Sequence, residues 1–352
     1  MAYRATLKDV AAAAGVSVTT VSLVLNNRPA RVSEEKRKVI ADAAKKLNYV
    51  PNQSARSLVT KQSQLVALIV PDIENLFFAA LAKCVEDECA AQGYSLIVAN
   101  SDDSRAAEHE LLQRLPARGV DGVMLIPARE SCVGSAVEQL CEDVAIVSCP
   151  VVLIDRLTQC GWCDAVGFDN YLGGRLAAQY LLEGGHTRIG IVTGDIAESS
   201  AAERRRGFVD AIEQSGKHFD SSLCVEGDYR FDSGYRAANQ IIDGGATAVF
   251  CCNDVMALGF RQRMAERGLH VTEDMQVIGY DNILKRFGLG WRMTTVEQSV
   301  TDLAAACWGM LRKRIDVAVR AKSGTESGDA RPWLSDPQVE VLTPKLVQAA
   351  CA

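Results

Sequence analysis

The stretch Thr6-Leu-Lys-Asp-Val-Ala-Ala-Ala-Ala-Gly-Val-Ser-Val-Thr-Thr-Val-Ser-Leu-Val-Leu-Asn26 decides how the rest of the chain is read. Thr6 and Asp9 stand at the spacing of a capping box, so a helix is expected to begin there. Val10, Ala13 and Ala14 give it an apolar side, and Gly15 breaks the pattern. Ser17 restarts it, with Val18, Val21 and Leu25 recurring along a second helix. Two short helices joined by a tight glycine turn project the second into a DNA major groove. Small residues at positions 11–14 let the helices approach, and Val10, Val16, Val21 and Leu25 are expected to form the small core. Ser17, Val18, Thr19, Ser22 and Leu23 then fall on or near the outward face. Ser33 caps a third helix, along which Val39, Ile40, Ala43 and Leu47 recur.

The charge distribution points the same way. The 352-residue chain has a net charge of −6. Residues 1–61 nevertheless hold eleven Lys and Arg against four acids, a surplus of +7 that leaves −13 for the rest. A small basic head on a large acidic body implies a polyanionic partner at the head alone, against the blander reading of a solvated charged face. A hydrophobic content of 48% and a charged content of 23% are ordinary for a soluble globular protein. No charged-then-apolar leader opens the sequence and no apolar run approaches the roughly 20 residues of a membrane span, so a cytoplasmic location is expected. Twelve cysteines are scattered along the chain and read as reduced, small core residues.

After Pro51 a polar, weakly helical stretch runs from Asn52 to Leu58 and ends at Lys61-Gln-Ser-Gln. From Leu65 onward the texture alternates. Strands are expected at Leu65–Val70, Ser95–Ala99, Gly122–Ile126, Val151–Ile154, Ala165–Phe168, Arg188–Thr193, Ala248–Cys251 and Gln276–Gly279, with amphipathic stretches such as Phe78–Ala91 and Leu172–Glu183 between them. Alternation of this kind predicts βαβ units and parallel sheets covered on both faces. The expected fold is therefore an all-α helix-turn-helix domain followed by an α/β body of two doubly wound parallel-sheet lobes. The expected boundaries are a head at 1–50, a hinge helix or linker at 51–63 and a body at 64–352. Within the body, lobe one is placed near 64–166 plus 296–322, and lobe two near 167–295 plus 323–352.

The head resembles the N-terminal signature of the LacI/GalR family of transcriptional regulators. Val32-Ser33, Leu47-Asn-Tyr-Val-Pro-Asn52 and Ala55-Arg-Ser-Leu58 match that family in order and spacing. The resemblance implies that Val18 and Thr19 read base edges, and that Ser17, Thr20, Ser22, Asn26 and Tyr49 hold phosphates or nearby base edges. It adds Leu7, Lys8, Arg31, Asn52 and Ala55 to the DNA-facing set. Phosphate contacts set affinity and register, and base contacts specify sequence. One departure stands out: Leu23 occupies a position where the family commonly has Arg, so a guanine contact gives way to a side chain suited to a thymine methyl. The resemblance further implies that the segment from Asn52 folds into a helix on cognate DNA, with Leu58 wedged into the minor groove, as apolar side chains do when they unstack a base step.

The body resembles the two-lobed periplasmic sugar-binding fold. The matching segments include Val70-Pro-Asp-Ile-Glu-Asn-Leu-Phe-Phe78, Leu153-Ile-Asp-Arg156, Asp169-Asn-Tyr-Leu-Gly-Gly174, Arg204-Arg-Arg-Gly-Phe208, Cys252-Asn-Asp254, Gly279-Tyr-Asp-Asn282 and Thr294-Thr-Val-Glu-Gln298. Open α/β sheets bind ligands beyond the carboxyl ends of their strands, where Asp155, Asn253-Asp254 and Asp281 are expected. The resemblance assigns effector contact to Asp155, Arg204, Asn253 and Asp281, with Phe77, Phe78 and Trp291 as an apolar wall. Asp254 reads equally as a helix cap, and Phe77 and Phe78 equally as core.

A small-molecule effector, a sugar or sugar derivative, is thus expected, with a nucleoside or purine as the alternative. The partners expected are a near-palindromic double-stranded operator and a second copy of the chain, with no membrane, cofactor or metal. The C-terminus lacks a leucine heptad, which favours a dimer over a tetramer. Cys160-Gly-Trp-Cys163 has the spacing of a redox motif but lies between strands rather than at a helix start. No nucleophile elbow, Walker loop or dinucleotide fingerprint appears, so an enzyme is not expected. An exported sugar-binding protein is opposed by the basic head. Leu58→Ala is predicted to weaken binding to cognate operator far more than binding to random DNA. Competition gel shifts at fixed salt check this, and equal losses on both DNAs would remove the wedge assignment.

Overall fold

The computed structural model describes residues 5–25, 29, 31–49, 62–157, 161–197, 199–289, 293–322 and 331–349. Two compact units divide between Ser63 and Gln64. In the first, α1 (Leu7–Ala14), α2 (Val18–Leu25) and α3 (Glu34–Lys46) form the head. The Thr6–Asp9 capping box closes, with the Thr6 N–H donating to Asp9 at 2.7 Å. Gly15 takes the left-handed φ of 63° that lets α1 stop, and the chain turns 103° between α1 and α2. Ser33 caps α3 through the Lys36 N–H.

The head core is Val10, Ala11, Ala14, Val21, Val24, Ile40, Ala43 and Ala44. Three expectations need correction. Val24 rather than Leu25 joins Val21 as a buried residue of α2, Ala11 rather than Ala13 faces the core from α1, and Val39 and Leu47 are exposed while Ala44 is buried. With three helices this short, the packing angle and not the apolar count decides which side of each helix is covered.

The second unit runs β1 (Leu65–Val70), α4 (Leu76–Ala91), β2 (Ser95–Asn100), α5 (Arg105–Ala117), β3 (Gly122–Leu125), α6 (Ala136–Ile146), β4 (Val151–Ile154) and β5 (Asp164–Phe168). It continues with α7 (Asn170–Glu183), β6 (Ile189–Thr193), α8 (Ser199–Gln214), β7 (Cys224–Glu226), α9 (Phe231–Asp243), β8 (Ala248–Cys251), α10 (Asp254–Glu266) and β9 (Gln276–Asp281). Then follow β10 (Thr295–Glu297), α11 (Val300–Lys322), β11 (Val339–Leu342) and β12 (Lys345–Val347). One six-stranded sheet has the order β11-β5-β4-β3-β1-β2 and the other β12-β10-β9-β8-β6-β7. Every pairing is parallel except β10 with β12. The central strands are buried on both faces, as parallel strands sandwiched by helices must be.

The lobe boundaries differ from those expected at two places. β11 pairs with β5 in the first sheet, and β10 pairs with β9 in the second. Both are short, and β11 is an edge strand with Val339 and Val341 exposed, so neither carries a burial pattern to read. The chain also crosses between lobes after β9, where Ile283 and Leu284 enter the core of the first lobe. Seven of the ten described cysteines are buried.

One close contact organises the second lobe. A Cβ on Gly207 would overlap the Tyr171 carbonyl oxygen, and one on Gly174 would overlap that of Arg204. The backbones of α7 and α8 therefore touch, which only glycine at both positions permits. Gly207→Ala is predicted to destabilise the body by about 2 kcal/mol or more, because the obstacle is backbone and cannot swing aside. Urea denaturation of the two proteins measures the difference, and a change within 0.5 kcal/mol (roughly the spread of ordinary surface substitutions) would contradict it.

Candidate functional site

In the head, Lys8, Ser17, Val18, Thr19 and Arg31 are exposed. Thr20, Ser22 and Leu23 are half-buried along α2, and Leu7 and Tyr49 lean on the head core. Val18, at 40% exposure, is the most prominent apolar side chain of α2. The Ser17 hydroxyl accepts from the Thr20 N–H at 3.1 Å and lies 2.8 Å from its hydroxyl, so the two polar side chains at the start of α2 hold each other. Asn26, Asn52, Ala55 and Leu58 lie outside the described residues.

In the body, six of the seven expected effector residues meet in one pocket: Phe77, Phe78, Asp155, Arg204, Asn253 and Asp281. Trp291 lies outside the described residues. Phe77 and Phe78 come from the first turn of α4, and Asp155 follows β4, all in the first lobe. Arg204 sits on α8, Asn253 precedes α10 and Asp281 ends β9, all in the second. Strand ends of both sheets thus face one another, as the switch-point rule for open sheets requires. Phe77 and Phe78 pack edge to face, with centroids 5.7 Å apart, and belong to the first-lobe core as well as to the pocket wall. The core reading of these rings holds, and both also line the pocket.

Arg204 is the centre of the pocket's second wall. Its Nε donates to Asn170 at 2.7 Å, Nη1 to the Cys252 carbonyl at 2.8 Å and Nη2 to Gln298 at 3.2 Å. Its guanidinium lies 3.9 Å from the centre of the Tyr280 ring. Burial works against its charge, but Tyr280, Tyr229 and Asp281 together raise it further above the ordinary arginine range, so it stays a cation. Of five N–H groups, three are used and two remain for a ligand.

Asp281 is buried, and burial pushes its carboxyl well above the usual range against the pull of Arg204. Asp155 and Asp281 both have left-handed backbones, with φ of 64° and 97°. Such strain in a non-glycine residue costs about 1–3 kcal/mol and turns the side chain off the strand line toward the pocket. Asn253 is partly spent on structure: its Oδ1 accepts from Met256 N–H at 2.8 Å to cap α10, and its Nδ2 donates to the Tyr229 carbonyl. Asp254 does not line the pocket, nor does it cap. It accepts from the Thr295 hydroxyl at 2.7 Å and the Ile283 N–H at 2.8 Å, fastening β10 and the lobe crossing to α10.

The pocket also holds Asn75, Arg156, Ser200, Tyr229 and Gln298. Asn75, Arg156 and Gln298 stand inside segments already singled out for their resemblance, next to residues that were named. Ser200 and Tyr229 stand in stretches without a recognisable motif. The free volume among these residues is about 30 Å³. A larger groove of about 560 Å³ runs along α11 and β11, but none of the expected effector residues lines it.

Residues 6–52 match the model of the bacterial regulatory proteins of the lacI family, and residues 66–301 match a periplasmic binding protein domain. The HTH-type transcriptional repressor PurR of Pasteurella multocida is 36% identical over 314 residues, 89% of this chain and 92% of that one. The chain belongs to the lacI family. Among solved structures, the transcriptional regulator CelR–cellobiose complex is 28% identical with a TM-score of 0.68, covering 99% of this chain and 100% of that one. The lac repressor dimer bound to operator and the anti-inducer ONPF shares the fold at a TM-score of 0.80 and 24% identity, covering 99% and 100%. As a lacI-family member the chain is a DNA-binding transcriptional regulator and not an enzyme. Among the described residues no single helix is long and apolar enough to cross a membrane.

Within this lacI-family body the buried carboxyls carry a pH signature. Burial pushes Asp254 up to about 6 from 3.8, despite the hydrogen bonds that favour its charged form. A carboxyl that holds its proton more tightly folded than unfolded favours the folded state at low pH. That advantage is lost as pH rises from about 4 to about 6. The loss is about 3 kcal/mol at most, from the size of the shift. Asp254→Asn, which cannot ionise, is predicted to flatten the fall of body stability across that window. The slope above pH 6 remains, because Asp281 shifts in the same direction. Denaturation midpoints from pH 4 to 8 measure this, and parallel curves for both proteins would contradict it.

Proposed function

We propose that the chain is a transcriptional repressor that holds a near-palindromic operator as a homodimer and is switched by a small polyhydroxylated effector, a sugar or sugar derivative. The observation that carries the effector reading is the convergence of Asp155, Asp281, Asn253 and the two remaining Arg204 N–H groups from both lobes beside Phe77 and Phe78. Carboxylates accept from hydroxyls, a guanidinium and an amide bridge neighbouring oxygens, and aromatic rings take the apolar face of a pyranose or furanose. The cellobiose-bound relative supports the same ligand class. The basic head, the exposed Val18 and Thr19, and the dimer seen with operator in the lac repressor neighbour support the operator reading.

A nucleobase or nucleoside is the second reading, favoured by a third ring, Tyr229, on the same pocket. Thermal unfolding against a panel of sugars, nucleosides and nucleobases separates the two. A true effector at a hundred times its dissociation constant adds about 2.7 kcal/mol of stability. Asp281→Asn is predicted to keep operator affinity in gel shifts while losing most of that stabilisation and the response of operator binding to effector. An undiminished response in the variant would place the effector elsewhere.

A further inference from the structure

The pocket lies between the two lobes, so whatever holds the lobes together controls access to it. Backbone crossings join them at Phe168–Asp169, at Asp281–Ile283, at Gln298 and between β11 and β12. Two groups of charged side chains also bridge the lobes directly.

The first is Arg230. Its Nη2 lies 2.8 Å from Asp72 and its Nη1 lies 3.3 Å from Glu74, so one guanidinium of the second lobe grips two carboxylates of the first. The chain neighbours of these residues line the pocket: Tyr229 on one side and Asn75 on the other. Tyr229 has a left-handed backbone, with φ of 64°, which sends its ring into the pocket and leaves the next side chain to reach across the mouth. The Arg230 backbone is itself held, its N–H donating to Asp228 and its carbonyl accepting from Ser233 Oγ. Asp72 is braced as well, accepting from the Glu74 N–H at 2.9 Å. The second group is Arg129, which pairs with Asp103 and reaches Asp195 of the second lobe at 3.5 Å. Asp103 also takes Arg156, a residue of the pocket wall, at 2.7 Å.

We infer that Arg230, bridging Asp72 and Glu74, is a latch that holds the two lobes closed over the pocket. Charge pairs at a surface rim contribute little to total stability but are well suited to biasing an open–closed equilibrium by a few-fold, and they weaken with salt. Two carboxylates on one guanidinium make the bias larger than a lone pair would. The latch itself rests on the geometry of these three residues. Its role in gating effector entry rests on the proposed function of the pocket.

Hydrogen exchange on the full-length, unliganded protein tests it, read at the Phe77 and Met256 amides. Both are bonded to pocket side chains, Asn75 and Asn253. Arg230→Glu, which sets three acids against one another, is expected to raise exchange at both amides about fivefold. Adding Glu74→Lys to that variant restores a pair of opposite sign and is expected to return exchange toward wild type. Salt at 0.5 M (on the order of ten times the low-salt reference, enough to shorten screening to a few ångströms) speeds exchange in wild type but not in Arg230→Glu. Equal exchange in all three proteins overturns the latch, even where sugars bind. Faster exchange in Arg230→Glu that Glu74→Lys reverses supports it, even where no sugar or nucleobase stabilises the protein, in which case the proposed effector site alone fails.

Discussion

The body is organised around a buried cation, Arg204, to which no carboxylate among the described residues is hydrogen-bonded. Arg204 is held by an amide, a backbone carbonyl, a second amide and the face of Tyr280. An isolated buried charge is costly, and neutral acceptors plus a ring face offset that cost only if they are fixed in advance. The fixing comes from α7 and α8, whose backbones meet at Gly174 and Gly207. That contact sets Arg204 beside Asn170 at the start of α7. Asn170 also accepts from the Tyr280 hydroxyl and the Gln298 amide, so one carboxamide ties together α7, α8, β9 and the crossing to α11.

The consequence is a pocket with an excess of both kinds of hydrogen-bonding capacity. Arg204 keeps two donors, and Asp281 presents a carboxyl held by charge alone, with burial pushing it toward its protonated form. A polar ligand that supplies donors to Asp281 and acceptors to Arg204 would relieve the unfavourable burial of both. Binding energy of that kind is available only to a molecule with several hydroxyl or amide groups in a compact frame, which is the physical basis for reading the pocket as one for a polar effector.

Much of this was legible in the sequence, and the limits are physical. Seven of the eight expected strands were readable because strands buried on both faces are continuous apolar runs with turn residues at their ends, as in Leu65–Val70 and Val151–Ile154, and the eighth, Ser95–Asn100, is an edge strand read from its apolar run alone. The four that were missed, Cys224–Glu226, Thr295–Glu297, Val339–Leu342 and Lys345–Val347, are three or four residues long. They are defined by the partner they pair with and not by their own pattern. The caps Thr6 and Ser33 were readable because capping is local. The choice between Val24 and Leu25 as the core residue of α2 was not, since it depends on the angle at which α3 crosses. In the pocket, aspartates at strand ends were readable from topology. Tyr229 was not, because its place in the pocket follows from a left-handed backbone in a loop that carries no motif.

A cleft between two lobes also constrains how a small molecule can act on a DNA-binding head. An effector shifts an equilibrium only by the difference in its affinity for the two states. If the closed cleft excludes the effector, the first state it meets is an opened one, and the free energy of opening is subtracted from its binding. The effector then selects among the lobe arrangements that remain once it fills the pocket, some of which differ from the unliganded one. Coupling to the operator follows if the head tolerates only one of these arrangements, and linkage makes it reciprocal: DNA that favours one lobe arrangement alters effector affinity by the same factor. Because exposed ion pairs across the cleft mouth contribute to the opening term, that factor depends on salt through the body as well as through the phosphate contacts of the head. The two dependences are separable, since only the second needs DNA.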